Sequence, residues 1–548
     1  MTDFLGTPVL IIGGGPVGLA TAYVLGMHGV RSIVCDQHES INPHPRAHVV
    51  NTRSMELMRA WGIADAIKND AIHLPSGLRY VWKQTISGEE FGWIGLEDAP
   101  EAHRSRRQHA SPEVKTSCAQ DRVQQHLLDA VCAQDMATVR YSSRVIGLDE
   151  TGDGVTATID SEKGSELVEV RYVVAADGAS GKTRERLGIG QSSRPPFGHQ
   201  INVYFHADLS PWTKPDHSVL FWVINTRCPG VFIGMDGKRR WTFNFGYDPS
   251  VEDIRDYTSE RCAGLIRSAV GVPELDIDVK SIGTWSLAAR TAERYRLGRV
   301  FLAGDAAHQF PPTGGLGMNT GIADADNLAW KLAAVINGWA SESLLDTYEA
   351  ERRPIAVRNA ESSVLNAIKM ADAGLGPNTQ GVARRLESSD TAIAAAERKR
   401  LASVIPTQHL HFDDLDKEIG YVYGYSDSSR PGVDPLSVAV VGGRLPHVWV
   451  TRAGNQLSTL DLLIPGFTLI AGVDGTPWAK AVTGLSTEVP VQTLVAGVDF
   501  EFGSSNALGL PDSGAVLVRP DGHIAWRAES LPPDPTAEVL RAISFSRP

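Results

Sequence analysis

Two glycine-rich stretches, far apart in the chain, have the residue types and spacing to hold an extended, phosphate-bearing ligand. In the first, Gly13-Gly14-Gly15-Pro16-Val17-Gly18, the glycines at 13, 15 and 18 permit a tight turn and let a pyrophosphate approach backbone N–H groups at a helix N-terminus. Asp36 ends the next apolar run, where an acid can hydrogen-bond ribose hydroxyls. In the second stretch, residues 298–332 (GRVFLAGDAAHQFPPTGGLGMNTGIADADNLAWKL), Asp305 follows a short apolar strand. Pro311, Pro312, Gly314, Gly315 and Gly317 then lead into a long amphipathic pattern. Glycines there remove the side chains that would hold a ligand off the backbone, and the helix that follows aims its positive end at the same place. Between the two, Asp177-Gly178, with Ser180 and Arg184 beyond, puts another acid where a buried run ends; alone it reads as an Asp-Gly turn.

The elements needed to position these residues follow from the pattern around them. Val9–Ile12 reads as a buried strand, residues 19–27 as a helix closed by Gly29, and Ser32–Cys35 as a second strand, the frame of a dinucleotide site. A Pro-rich loop (INPHPRAHVV) carries Arg46 and His48, and a helix begins near Thr52. Residues 78–93 are strand-like and aromatic, 97–112 read as polar loop, and Gln120 opens another helix. Strands are expected at 139–145, 155–159 and 168–176. From about residue 195 to 279 the alternation predicts an antiparallel sheet, read as a second domain inserted in the first with a pocket at the junction. Residues 344–374 continue helical, with their Arg and Glu assigned to exposed faces, and a breaker-rich region at 374–389 reads as a boundary. From about Leu410 short strands and turns resume, with Arg519-Pro520-Asp521-Gly522 as a hairpin turn.

Global properties bound the possibilities. A chain of 548 residues exceeds one ordinary domain. A net charge of -12 disfavours nucleic acid and anionic membranes as partners, since both call for concentrated Lys and Arg. No run approaches the ~18 apolar residues of a membrane span, and no signal-peptide pattern is seen, so a cytoplasmic location is expected. The five cysteines are scattered without metal-ligand spacing, so no metal site is expected.

Three motifs in fixed order, GGGPVG (13–18), AADGASGKTR (175–184) and GRVFLAGDAAHQFPPTGGLGMNTG (298–321), resemble those of the single-component FAD-dependent aromatic hydroxylases, typified by para-hydroxybenzoate hydroxylase and phenol hydroxylase. The segments GGRLPHVWV, STLDLL and RPDGHIAWR resemble the thioredoxin-like C-terminal domain of the phenol hydroxylase branch. The resemblance implies an α/β fold: a Rossmann-like FAD-binding domain (1–77, 111–190, 281–375) with an inserted antiparallel-sheet substrate domain (78–110, 191–280). A helical linker (376–409) and a thioredoxin-like C-terminal domain lacking CxxC (410–548) would follow. It implies that Gly13, Gly15 and Gly18 face the FAD pyrophosphate and Asp36 the adenosine ribose, where the family more often has Glu. Arg46 would contact FAD and help accept the nicotinamide, Gln120 would lie near the ribityl chain, and Asp177 would serve both cofactors. Asp305 would bind a ribityl hydroxyl, and Pro312, Gly317, Met318 and Asn319 would line the flavin ring.

The implied reaction uses NADPH or NADH to reduce the flavin, adds O2 at C4a, and transfers oxygen from the hydroperoxide to an electron-rich phenolic ring. Lowering a phenol pKa from ~10 to ~7 takes about 4 kcal/mol, and one charge-assisted hydrogen bond supplies ~1.5–3 kcal/mol. Two groups must therefore cooperate, or the substrate must already be acidic. His48, two residues after Arg46 where phenol hydroxylase has an aspartate in a similar segment, is the first candidate base, and Arg240 the second helper. Pro312 is placed with them among the catalytic residues, whereas His308 is expected to be structural. Each of His48 and Arg240 also has a bland reading as a surface or supporting residue. Denitration or dehalogenation of a substituted phenol or catechol is the alternative within the family, and a non-catalytic flavin carrier or sensor the alternative outside it. A halogenase is disfavoured because no WxWxIP segment occurs. The expected partners are a small phenolic substrate and O2, with a homodimer considered as the assembly.

Overall fold

Val9–Ile12, Ser32–Cys35 and Tyr172–Ala175 are buried along their whole length, which requires a sheet covered on both faces. In the computed structural model, which describes residues 7–73, 77–193, 196, 198–213, 218–424, 434–483, 489–503 and 508–544, they are neighbours in a six-stranded sheet. Its order is Arg296–Leu297, Val300–Leu302, Tyr172–Ala175, Val9–Ile12, Ser32–Cys35, Ala137–Arg140. All pairs are parallel except the outer hairpin of the first two strands. Four adjacent parallel strands therefore end at one edge, and the residues that follow them are Asp305, Asp177, Gly13 and Asp36. Ligands of open parallel sheets bind outside this carboxyl edge.

The Pro16–Met27 and Gly317–Ile336 helices pack together in the main core on one face. A three-stranded antiparallel layer, Ser143–Thr151, Gly154–Ser161 and Gly164–Val170, belongs to the apolar cluster of the other. The run at 168–176 is thus two strands, not one: Gly164–Val170 pairs within the antiparallel layer and Tyr172–Ala175 within the parallel sheet. The mark of the change is Arg171 between them, where the alternating Val168-Glu169-Val170 gives way to the continuously apolar Tyr172–Ala175.

A second sheet has seven strands, in the order Asp278–Ser286, His199–His206, Arg240–Tyr247, Gly230–Gly234, Leu220–Val223, Arg79–Lys83, Glu90–Gly95. It is antiparallel except where Leu220–Val223 meets Arg79–Lys83. Residue 195, where the sequence places the change of texture, lies outside the described residues. Alternation sends Ile201, Val203, Phe205, Phe243 and Phe245 to one face, against the Ser259–Val270 helix. The opposite face carries Tyr80, Trp82 and Trp222, packed with Val382, Leu386, Leu401 and Ile405.

Two expectations change here. The segment 374–389, read as a breaker-rich boundary, contains the Thr379–Leu386 helix, which joins the Thr391–Val404 helix of the expected helical stretch in the second sheet's core. The segment 97–112, expected as loop, holds a Glu101–Ala110 helix. That helix docks by polar contacts, with the buried Arg107 donating to the Leu96 carbonyl (2.9 Å) and to Asp413 (2.8 Å), so no apolar stripe announces it.

The C-terminal region forms a four-stranded sheet in the order Val491–Val495, Phe467–Ala471, Ala515–Val518, Ile524–Ala528, with the Thr476–Thr483 and Pro535–Ser544 helices alongside. The last two strands make the expected hairpin, closed by the Gly522 N–H donating to the Arg519 carbonyl (2.9 Å). Phe467 packs edge-on against Trp330 and Trp339 and joins this sheet to the main core. Among the described residues no helix is long and apolar enough to cross a membrane, and no group of side chains could hold a metal ion.

Candidate active site

The carboxyl edge of the parallel sheet is built by close backbone approach. Gly13 has a φ of 106°, and a Cβ on it would strike the Ala176 carbonyl; one on Gly18 would strike the carbonyl of Gly13. Gly304 (φ 60°) would meet Val17 Cγ2 at 2.9 Å, and Gly321 the same atom at 2.6 Å. Val17 thus wedges the first turns of both long helices against the turn that carries Asp305. Gly15 and Gly317, each at a helix start, have nothing within 4 Å of a Cβ position. Two helix starts with open space at their glycines, beside one row of acids, suit a long ligand with anionic and hydroxyl-bearing parts, as FAD has.

The acids differ in their engagements. Asp36 accepts hydrogen bonds from the Gly14 N–H (2.7 Å) and the His38 N–H (2.9 Å), tying the glycine turn to the second strand. Asp177 accepts from the Thr183 N–H (3.0 Å) and hydroxyl (2.8 Å) through one oxygen, while its other oxygen is buried without a partner. Asp305 is exposed by area and yet walled in by protein, as a carboxylate on the floor of a groove would be. These surroundings raise its pKa, against the pull of His308 and Arg46.

Along residues 312–319, Pro312 is exposed and Gly317 and Met318 are half-buried. Asn319 is buried, and its amide is fully engaged by backbone. It accepts from the Asn51 N–H (3.0 Å) and donates to the carbonyls of Val49 (2.9 Å) and Gly315 (2.7 Å). It therefore fastens the glycine loop to the chain just beyond His48. His308, buried, bonds Asp324 at 2.6 Å.

The Arg46 loop ties the seven-stranded sheet to the Thr116–Ser117 strand. His44 bonds Asn202 (2.7 Å) and Ser281 (2.6 Å) on the second sheet, and His48 bonds Ser117 (3.0 Å) through Nδ1. Between them Arg46 is exposed, with no hydrogen bond or ion pair among the described residues. Burial lowers the His48 pKa to about 4, so its ring is neutral at physiological pH. Arg240 donates to Asp121 (2.7 Å) and to the Tyr204 hydroxyl (2.9 Å); burial works against its charge, but these partners raise its pKa. The backbone of Ala47 and His48 pairs with Gln120 and Cys118, so His48, Gln120 and Arg240 all converge on residues 117–121. The Gln120 side chain has no hydrogen bond among the described residues.

His44, Ser117, Asn202, Tyr204 and Asn244 escaped the sequence reading. Asn202 donates to Asn244 (2.6 Å), which also accepts from Trp285 (3.3 Å). A signal for three of them was present: Asn202, Tyr204 and Asn244 occupy the alternate positions of strands whose other positions are apolar.

Comparison with known proteins places this geometry. An FAD binding domain family matches residues 6–363, and an aromatic-ring hydroxylase C-terminal family matches 439–548. The chain is 34% identical to tetracenomycin B2 monooxygenase-dioxygenase of Streptomyces olivaceus, over 98% of this chain and 97% of the relative. It is 33% identical to 4-methyl-5-nitrocatechol 5-monooxygenase of a Burkholderia species, with the same coverage. Among solved structures, the flavin-dependent monooxygenase PieE in complex with FAD and substrate superposes with a TM-score of 0.88 at 29% identity, over 99% of each chain. The chain belongs to the FAD-dependent aromatic-ring hydroxylases, and with their domain architecture it is an aromatic monooxygenase that uses FAD.

Proposed function

We propose that the chain hydroxylates a phenolic ring at the expense of NAD(P)H and O2, with the substrate held between the flavin edge and the polar face of the seven-stranded sheet. The observation that carries this reading is the delivery of Gly13, Asp36, Asp177 and Asp305 to one edge, which the Arg46 loop ties to Asn202 and Ser281 on the second sheet. FAD, when bound, supplies electron transfer from the nicotinamide and the activation of oxygen. In this reading the Gly13–Gly18 turn receives the pyrophosphate and Asp305 a ribityl hydroxyl. Arg46, unpaired and exposed, receives the phosphate groups of the incoming nucleotide.

His48 accepts the phenolic proton or hydrogen bond at Nε2, oriented by Ser117 at Nδ1. With a pKa of about 4 it is a weak base for an ordinary phenol, so a second group must share the work. The Arg240 cation, fixed beside Asp121 and Tyr204, is the helper in this reading. A cytoplasmic location goes with the demand for NAD(P)H, and light scattering decides whether the enzyme is a homodimer.

Purified enzyme should oxidise NAD(P)H faster when a phenol is added, with matching O2 uptake and one atom of 18O2 in the product. Failure to bind FAD, or no stimulation by any of a panel of simple and polyketide-type phenols, would overturn the proposal. The relative named for a nitrocatechol supports a second reading, oxidative removal of a ring nitro group. Nitrite release from a nitrocatechol, absent from the phenol reactions, distinguishes it.

A further inference from the structure

The C-terminal domain has no cysteine, so its thioredoxin-like sheet cannot exchange thiols and disulfides. Its hairpin turn, residues 519–523, is nevertheless driven into the middle of the molecule. Arg519 donates to both oxygens of Glu351 (2.6 and 2.9 Å) and also pairs with Asp521. Glu351 is at the same time held by Lys331 (2.7 Å) and Asn327 (2.7 Å) of the Gly317–Ile336 helix. The Asp521 carbonyl accepts from Arg53 (2.7 Å) on the Thr52–Ala60 helix. Lys331 and Asn327 are wholly buried, and Arg53, Arg519 and Asp521 are less than a tenth exposed.

Three routes run from this turn to residues at the flavin edge. Arg53 lies two positions after Asn51, whose N–H holds Asn319. Asn327 and Lys331 belong to the helix that begins at Gly317. Next to Glu351, Arg352 donates to Asp324 (2.8 Å) and to the Thr320 carbonyl (3.2 Å), and Asp324 in turn accepts from the Gly304 N–H (3.2 Å), one residue before Asp305. Adhesion alone does not call for this cluster, because Phe467 already packs on Trp330 and Trp339. Buried ion pairs are weak glue compared with apolar contacts, and their best-attested use is to fix one register among several.

We propose that the Arg519–Asp521 turn is a positioning device for the flavin site, setting the Asp305 turn and the start of the Gly317–Ile336 helix relative to the Val49–Asn51 segment. Arg519 and Asp521 are positioning residues and touch neither cofactor nor substrate. The inference rests on the proposed flavin-facing role of Asp305 and residues 312–319.

The test uses the full-length enzyme and four variants: Arg519→Met, Arg519→Lys, Asp521→Asn, and Val539→Ala as a destabilised control in the same domain, where Val539 is fully buried. FAD affinity of the apoprotein is read by quenching of flavin fluorescence, and the environment of the bound flavin by its visible absorption and circular dichroism. Arg519→Met and Asp521→Asn should weaken FAD binding at least tenfold and shift the flavin spectrum, Arg519→Lys should restore part of both, and Val539→Ala should lower Tm with affinity and spectrum unchanged. If Arg519→Met does not fold, Arg519→Lys and Asp521→Asn decide by the same two readouts. Wild-type affinity and spectrum in every folded turn variant, or equal changes in Val539→Ala, would overturn the proposal. A wild-type protein that binds no FAD would instead overturn the reading on which it rests.

Discussion

At the scale of single residues, the site turns on side chains whose engagements differ from what their types suggest. Burial keeps His48 neutral down to about pH 4, so it can accept a hydrogen bond across the physiological range but pulls only weakly on a phenolic proton. His48→Ala should therefore reduce coupled oxygenation of a weakly acidic phenol more than that of a nitrophenol, measured as product per NAD(P)H. Equal losses would remove His48 from proton handling. Loss of protonation in wild type should not produce a His48 limb near pH 6.5 in kcat/KM. Asn319 is a second case, because its amide serves backbone on two segments. Asn319→Ala strands the buried Asn51 N–H, at ~1–3 kcal/mol for such a group. Chemical denaturation should show that loss, with weaker FAD retention on gel filtration.

Among elements, the legible ones were those whose apolar period matched their structure. The Val9–Ile12 strand, the glycine turn and the helix after it could be read directly, because strand, turn and helix each leave a local mark. The Asp346–Lys369 helix shows what could not be read. Its charge pattern predicts exposed faces for its Arg and Glu residues, yet Arg352 is 1% exposed and Glu351 meets Arg519 of a distant hairpin. A sequence displays a charge and hides its partner when that partner is remote in the chain. Likewise Arg46 and His48 could be singled out as loop residues, whereas His44 could not, because its importance lies in Asn202 and Ser281. Burial alone would raise the Glu351 pKa, but Arg519 and Lys331 overcome this and hold it at about 2. Its folded value lies below its unfolded one, so its contribution is present above about pH 4.5 and is lost as pH falls toward 2. Glu351→Gln should therefore be less stable at neutral pH, and its unfolding free energy should fall less steeply between pH 4.5 and 2 in urea titrations.

For the whole molecule, acid sensitivity follows from histidines enclosed in several parts of the fold. Burial lowers His48, His447 and His523 to about 4 and His411 to about 3. Unfolding returns each to about 6.5, so the unfolded chain binds more protons between those limits and stability rises with pH there. Each proton taken up on unfolding contributes ~1.4 kcal/mol per pH unit. The urea midpoint should fall markedly from pH 7 to pH 5, before most carboxylates titrate. Replacing His411 by Gln, which cannot protonate, should flatten that slope by about one proton's worth; an unchanged slope would contradict its enclosure.

The strap formed by residues 44–48 bears on how the fold can be recombined. Its central arginine is free only because the residues on either side are moored, one to the seven-stranded sheet and one to the chain beside the flavin edge. A chimera that exchanged the substrate sheet for that of a relative would, unless it carried equivalents of Asn202 and Ser281, cast off one mooring. It could keep every cofactor contact and still misplace the guanidinium at residue 46. If Arg46 takes the proposed nucleotide role, substrate range and nicotinamide use would then be inherited together, through a short loop that belongs to neither sheet.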